Sequence, residues 1–190
     1  MNQSFYGLLI FISLIIPPVA HLMESVMIIH MHMQMPMLVF TGFLMAHFFQ
    51  TRFSGFFEKW NSNGVPGIIL FVIVMGYWML PRTMDEALTV QSVEIFKFIS
   101  LPFLAGISLR DSWKKLSTIG KNTIIILFTI IFFGLSWLYI DAQEPLCNNY
   151  LVIDQLTLGW GFLTTAICMV IYLLYITFTD PTKYEGIVEE

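Results

Sequence analysis

Histidine and methionine side chains are concentrated in one short part of this sequence. All four histidines and seven of the twelve methionines lie between residues 21 and 47. The centre of the stretch, residues 27–37, reads Met-Ile-Ile-His-Met-His-Met-Gln-Met-Pro-Met. Thioether and imidazole donors at this density suit copper better than the other common metals. Copper binding is therefore the leading hypothesis for the chemistry of this chain.

Six side chains are the candidate metal ligands: His21, Glu24, Met27, His30, His32 and Gln34. His21 and Glu24 are three residues apart and share a helical face, so they form either a ligand pair or a pair in which the carboxylate orients the imidazole. On a regular helix His30 and His32 point about 200° apart and cannot reach the same ion.

Two arrangements of this segment remain open. In the first, His30 acts with Met27, Met33 or Gln34 on its own face, and His21 and Glu24 complete the site. In the second, the segment is locally extended and brings His30, His32 and Gln34 to one side. Pro36 bears on the choice because its ring removes a backbone donor and clashes with the carbonyl of His32. We expect the helix to kink or open over residues 32–36.

The composition places these residues in a membrane. The chain of 190 residues is 57% hydrophobic and only 12% charged, against about 45–50% and 25% in soluble domains. A soluble fold of this length could not cover that much apolar surface. We expect an integral membrane protein whose first partner is the lipid bilayer, with no nucleic-acid partner.

Apolar runs long enough to cross the bilayer predict an all-α, polytopic protein with about six transmembrane helices in one domain, residues 1–190. The predicted spans are residues 5–20, 27–49, 66–80, 93–109, 123–140 and 157–178. The third and fourth are short, and Pro102 interrupts the fourth. We also expect a salt bridge between Glu94 and Lys97, which are three residues apart near the start of the fourth span.

Basic residues predict the orientation. With six spans, seven of the nine lie on the side of the N-terminus: Arg52, Lys59, Arg110, Lys114, Lys115, Lys121 and Lys183. The opposite side has Arg82 and Lys97. The asymmetry predicts that both termini are cytoplasmic in a multi-pass protein of the cell membrane. His21, His30 and His32 then lie toward the outer side.

The run from Ile29-His30-Met31 to Met35-Pro36-Met37-Leu38 resembles a helix of the caa3-type cytochrome oxidase copper-assembly membrane proteins and their small archaeal relatives. That helix carries His-Met, a second ligand-type residue and a Met/Leu-rich run toward a proline. Gln34 stands where the family pattern has its second histidine. The resemblance implies copper delivery or insertion for a membrane oxidase on the outer side.

Two functions are compatible with these patterns. The first is a copper-binding protein that assists metal delivery to, or assembly of, a membrane oxidase. The alternative is a non-catalytic accessory subunit of a membrane oxidase or copper monooxygenase complex, in which the methionine faces are helix contacts. We do not expect an enzyme acting alone, because the sequence has no nucleophile–base set, no zincin motif and no pair of carboxylates within the spans.

Overall fold

A computed structural model describes residues 2–142 and 144–179. Within these residues the chain is helical and contains no strand. The helical stretches are α1 (Asn2–Ile15), α2 (Pro17–Glu24), α3 (Met27–Arg52), α4 (Ser54–Trp60), α5 (Val65–Trp78), α6 (Pro81–Thr89), α7 (Gln91–Trp113), α8 (Thr118–Asp141) and α9 (Val152–Thr179). The predicted all-α class is confirmed.

Two pairs of consecutive helices are separated by sharp bends. α1 and α2 meet at 71°, at the point where Ile16 precedes two prolines. A residue before proline is driven out of the helical region, and Ile16 is extended. α4 and α5 meet at 88°, and Gly64 between them has φ +79°, a conformation that glycine adopts without a steric penalty.

Four of the described helices have the length and composition that crossing a membrane requires. α3, α7, α8 and α9 are each long and apolar enough to cross a bilayer, and the α1–α2 and α4–α5 pairs qualify when each bent pair is taken as one span. The described chain thus has four to six candidate spans. α1 and α5 have 14 residues each, about 21 Å of helix, which is short of the ~30 Å hydrocarbon core.

The predicted spans differ from the observed helices mainly at their ends. The span predicted over residues 5–20 runs through the break at Ile16, and α7 is longer at both ends than the span predicted over residues 93–109. Lys183, which contributed to the predicted orientation, lies outside the described residues.

Both α3 and α7 contain a π-helical segment beside a proline. In α3 the segment is His30–Gln34, which ends two residues before Pro36, and the amide of Met35 donates to the carbonyl of His30 five residues earlier. In α7 it is Ser100–Gly106, which contains Pro102. Because proline has no amide hydrogen, a wider turn is one way for the helix to continue around it. The opening expected near residues 32–36 takes this form, and the segment is not extended.

α3 and α7 approach so closely that only glycine fits at their crossing. A Cβ atom on Gly42 would lie 1.8 Å from the carbonyl oxygen of Pro102, and one on Gly106 would lie 2.3 Å from the carbonyl oxygen of Val39. This crossing brings the two π segments onto neighbouring parts of the same interface. α8 and α9 form a second, extensively packed pair, and the start of α3 packs on α9.

Candidate functional site: a buried ionic network and a methionine cavity

A buried polar network lies at the end of the bundle where α2 meets α3. It consists of Glu24, His30, Gln34, Lys97 and Tyr150, and we call it the Lys97 network. The ammonium group of Lys97 forms an ion pair with Glu24 and lies 3.3 Å from Nε2 of His30 and 3.5 Å from Oε1 of Gln34. The amide of Gln34 also donates to Glu24, at 3.3 Å. Side chains from α2 and α3 therefore converge on the ammonium group that α7 contributes.

The hydrogen bonds of the Lys97 network define the tautomer of His30. The hydroxyl of Tyr150 donates to the backbone carbonyl of Glu24 at 2.6 Å, so it can only accept from Nδ1 of His30, 3.0 Å away. His30 therefore carries its proton on Nδ1 and presents the Nε2 lone pair to Lys97. Both ring nitrogens of His30 are occupied.

The Lys97 network is deeply buried. Lys97, His30 and Gln34 have no exposed surface, and Glu24 is 8% exposed. Charged groups in such surroundings are costly and persist only when they are paired and hydrogen-bonded, as these are. Within the described residues, buried and ionised Lys97 finds one acceptor for each of its three hydrogens. The loop residue Tyr150 is affected as well, because burial and the nearby carboxylate of Glu24 raise the pKa of its phenol.

Lys97 does not form the salt bridge predicted with Glu94. Its ammonium group pairs with Glu24 from another helix, and that prediction was wrong. The reason is tertiary: Lys97 faces the interior, where α2 and α3 supply the acceptors. A sequence signal for this was present, since a lysine inside an apolar run is a functional candidate by default.

The six predicted ligands do not form a single group. Glu24, His30 and Gln34 come together around Lys97, Met27 is fully buried in the apolar core, and His21 is exposed on α2. In the part of the chain that the structure describes, no three His, Cys, Asp or Glu side chains are arranged to hold a metal ion. An ammonium group stands where the sequence suggested a cation site.

His32 lies on a different face of the same π segment, beside a cavity of about 230 Å³. Four methionines line the cavity with it: Met31 and Met35 from α3, and Met75 and Met79 from the end of α5. We call this space the methionine cavity. The rest of its lining includes the aromatic side chains Trp78, Phe132 and Phe162.

The surroundings of His32 leave one of its ring nitrogens free. The hydroxyl of Thr165 donates to the carbonyl of Gly161 at 2.9 Å, so toward Nε2 of His32, 3.4 Å away, it acts as an acceptor. The proton of His32 is then on Nε2, and Nδ1 keeps its lone pair. Nδ1 is buried and has no hydrogen-bond partner among the described residues. A neutral imidazole whose other nitrogen donates a hydrogen bond is in the form that binds metals.

The sequence did not indicate the two methionines contributed by α5. Met75 and Met79 are about 40 residues from His32 in the chain, and each alone is typical of ordinary core packing. Their spacing of four residues, which places both on one face of α5, was the only available signal. Met31 and Met35 have the same spacing on α3, and all four methionines line the same cavity.

A second polar network, around Asp111, lies at the other end of the bundle from the Lys97 network. It joins α3, α4, α5 and α7. Asp111 accepts hydrogen bonds from Gln50 at 2.9 Å, from Asn61 at 2.6 Å and from Lys115 at 2.8 Å. The side-chain oxygen of Asn61 accepts from the amide of Gly67 at 2.9 Å. These contacts fasten the α4–α5 bend to the bundle, and their role is structural.

Comparison with known proteins identifies no relative of this chain: no protein-family model, curated protein or solved structure matches it.

Proposed function

We propose that this protein is a membrane copper-binding protein that assists metal delivery to, or assembly of, a membrane oxidase, and that it binds the metal as copper(I) in the methionine cavity. The observation that carries the proposal is the free, buried Nδ1 of His32 beside a cavity lined by four thioethers. The ligands we assign are His32, Met31, Met35, Met75 and Met79.

The chemistry of the donor set favours copper(I) over other metal ions. Thioethers are soft, neutral ligands that select copper(I), and imidazole binds it as well. Divalent zinc and the hard cations prefer thiolate, carboxylate or carbonyl donors, and among the described residues no carboxylate lines this cavity. A monovalent ion also costs less to hold than a divalent one in an apolar site with neutral ligands.

The Lys97 network is a poor alternative location for the metal. Its central position is taken by an ammonium group, and both nitrogens of His30 already have partners. A metal at His30 would have to displace Lys97 from Glu24 and leave a second cation buried beside it, which is electrostatically unfavourable. We therefore assign to His30 a role in the fold and to His32 the role of ligand.

We further propose a topology of six spans with both termini in the cytoplasm of a cell-membrane protein. In this arrangement the bent α1–α2 and α4–α5 pairs and the helices α3, α7, α8 and α9 cross the bilayer, while α6 lies near its surface. The excess of lysine and arginine at the Asp111 end of the bundle supports this orientation. The Lys97 network and the methionine cavity then belong to the outer half of the protein.

The test is the copper(I) content of detergent-purified protein loaded under anaerobic, reducing conditions. We expect about one copper per chain in the wild type and in His30→Ala, and loss of that copper in His32→Ala and in the double variant Met31→Leu/Met35→Leu. X-ray absorption at the copper edge should show sulfur neighbours. His21→Ala is the matched control, because it removes an exposed histidine from the same part of the chain.

Either of two results would contradict the proposal. Copper bound equally well by His32→Ala would place the site elsewhere. If the wild type contains no copper and larger companion subunits stay bound to it through purification, the result would favour the accessory-subunit alternative.

A further inference from the structure

A set of buried sulfur atoms leads from the loop after α8 toward the methionine cavity. Cys147 in that loop is 2% exposed, and Met84 on α6 is fully buried. Both belong to the same continuous apolar core as Met79, and Met75 packs against that core. The last two line the cavity, so soft donor atoms occur both under α6 and at the cavity itself.

The backbone and side-chain contacts place Cys147 against α6. Its thiol donates to the carbonyl of Pro81, the first residue of α6, with 3.6 Å between sulfur and oxygen. Met84 is three residues after Pro81, one helical turn along. Asp85 fastens the loop in place, because its carboxylate accepts from the side chains of Asn148 at 3.1 Å and Asn149 at 2.8 Å.

The same stretch of chain leads directly to the cavity. Met79 is separated from Pro81 only by Leu80, and Met75 is one helical turn further along α5. Cys147, Met84 and Met79 thus belong to one buried cluster, and Met75, which packs against it, lies one helical turn before Met79. Successive soft ligands allow a soft cation to move by ligand exchange, without ever being left uncoordinated in an apolar interior.

We infer that Cys147 and Met84 form the first part of a path by which copper(I) reaches the methionine cavity from the side of the α8–α9 loop. The inference rests on the proposed copper(I) function and adds the route of access and the residues that provide it. When copper(I) binds the sulfur of Cys147, the thiol proton passes to water, and when the ion moves on to Met84 the sulfur takes up a proton again. No electron is transferred in either step.

The experiment measures the rate of copper(I) loading separately from its final amount. Wild-type protein in detergent is mixed with the copper(I)–bicinchoninate complex, and the loss of the coloured complex is followed by stopped-flow absorbance. Met84→Leu and Cys147→Ser are the test variants, since leucine preserves the apolar volume and serine preserves the hydrogen-bond donor to Pro81. Met45→Leu is the control, a buried methionine near the other end of α3.

We expect both test variants to take up one copper per chain, as the wild type does, but about tenfold more slowly, which corresponds to ~1.4 kcal/mol in the barrier. Met45→Leu should load at the wild-type rate. Wild-type rates in both test variants, or equal slowing in Met45→Leu, would overturn the inference while leaving the cavity site intact. A wild type that takes up no copper would instead contradict the proposed function.

Discussion

Removing the charge of Lys97 should destabilise this protein more than almost any other single change, and restoring charge balance should recover most of the loss. In Lys97→Met the side chain keeps its length and apolar character but no longer pairs with Glu24. The carboxylate of Glu24, 8% exposed, is left without its cation, and Nε2 of His30 loses its donor.

The magnitude follows from the burial of the pair. Breaking a buried ion pair by removing one partner costs about 3–5 kcal/mol, because a desolvated charge remains. We expect Lys97→Met to lie in this range, and Glu24→Gln to cost about 3 kcal/mol for the same reason, with the ammonium as the stranded charge. The double variant Glu24→Gln/Lys97→Met contains neither charge, and its free energy of unfolding should return to within about 2 kcal/mol of the wild type.

The assay is reversible unfolding by sodium dodecyl sulfate in mixed micelles, followed by circular dichroism, for the wild type, both single variants and the double variant. Arg82→Met is the matched control, because Arg82 and Glu86 form an ion pair at 2.9 Å in which the arginine side chain is 89% exposed. An exposed pair of this kind contributes at most about 0.5 kcal/mol.

The reasoning would be refuted by a cost of less than about 1 kcal/mol for Lys97→Met, since that value is typical of a solvated pair. It would also be refuted by a double variant as unstable as the sum of the two single variants. Either result would mean that Glu24 and Lys97 are not coupled inside the protein.

The remaining predictions concern packing and pH. Gly42→Ala should destabilise the bundle by about 3 kcal/mol in the same unfolding assay, because its Cβ would overlap the backbone of Pro102. Gly76→Ala is the control: a Cβ there meets nothing within 4 Å, so this variant should be neutral or stabilising. Burial and the neighbouring carboxylate of Asp85 raise the pKa of the Cys147 thiol to about 11, so at pH 8 its alkylation in native protein should be about a hundredfold slower than that of a thiol with a pKa near 9. The rate, measured by mass spectrometry, should keep rising with pH up to about 11; a plateau near pH 9 would contradict the shift. The raised pKa also predicts that this thiol's contribution to stability is complete below pH 9 and is lost as the pH rises toward 11, because the unfolded form releases its proton first.

The local geometry of the His/Met segment was visible in the sequence, but its tertiary partners were not. The spacing of His30 and His32 correctly indicated that a helical segment cannot direct both side chains to one ion, and Pro36 indicated the irregular turn that the structure shows as a π segment. The sequence could not say which histidine keeps a free nitrogen. That depends on Tyr150 and Thr165, each more than 100 residues away in the chain.

The sequence by itself determined that the described chain is all-helical, with helices long and apolar enough to span a membrane, because run length, hydrophobic composition and proline positions act locally. Only the tertiary structure decided that Lys97 pairs with Glu24 rather than Glu94, and that Met75 and Met79 meet His32. The physical reason is that side-chain partners across helices depend on how closely the backbones approach. Here that approach depends on glycines such as Gly42 and Gly106. The sequence around such a glycine does not indicate which helix will pack against it.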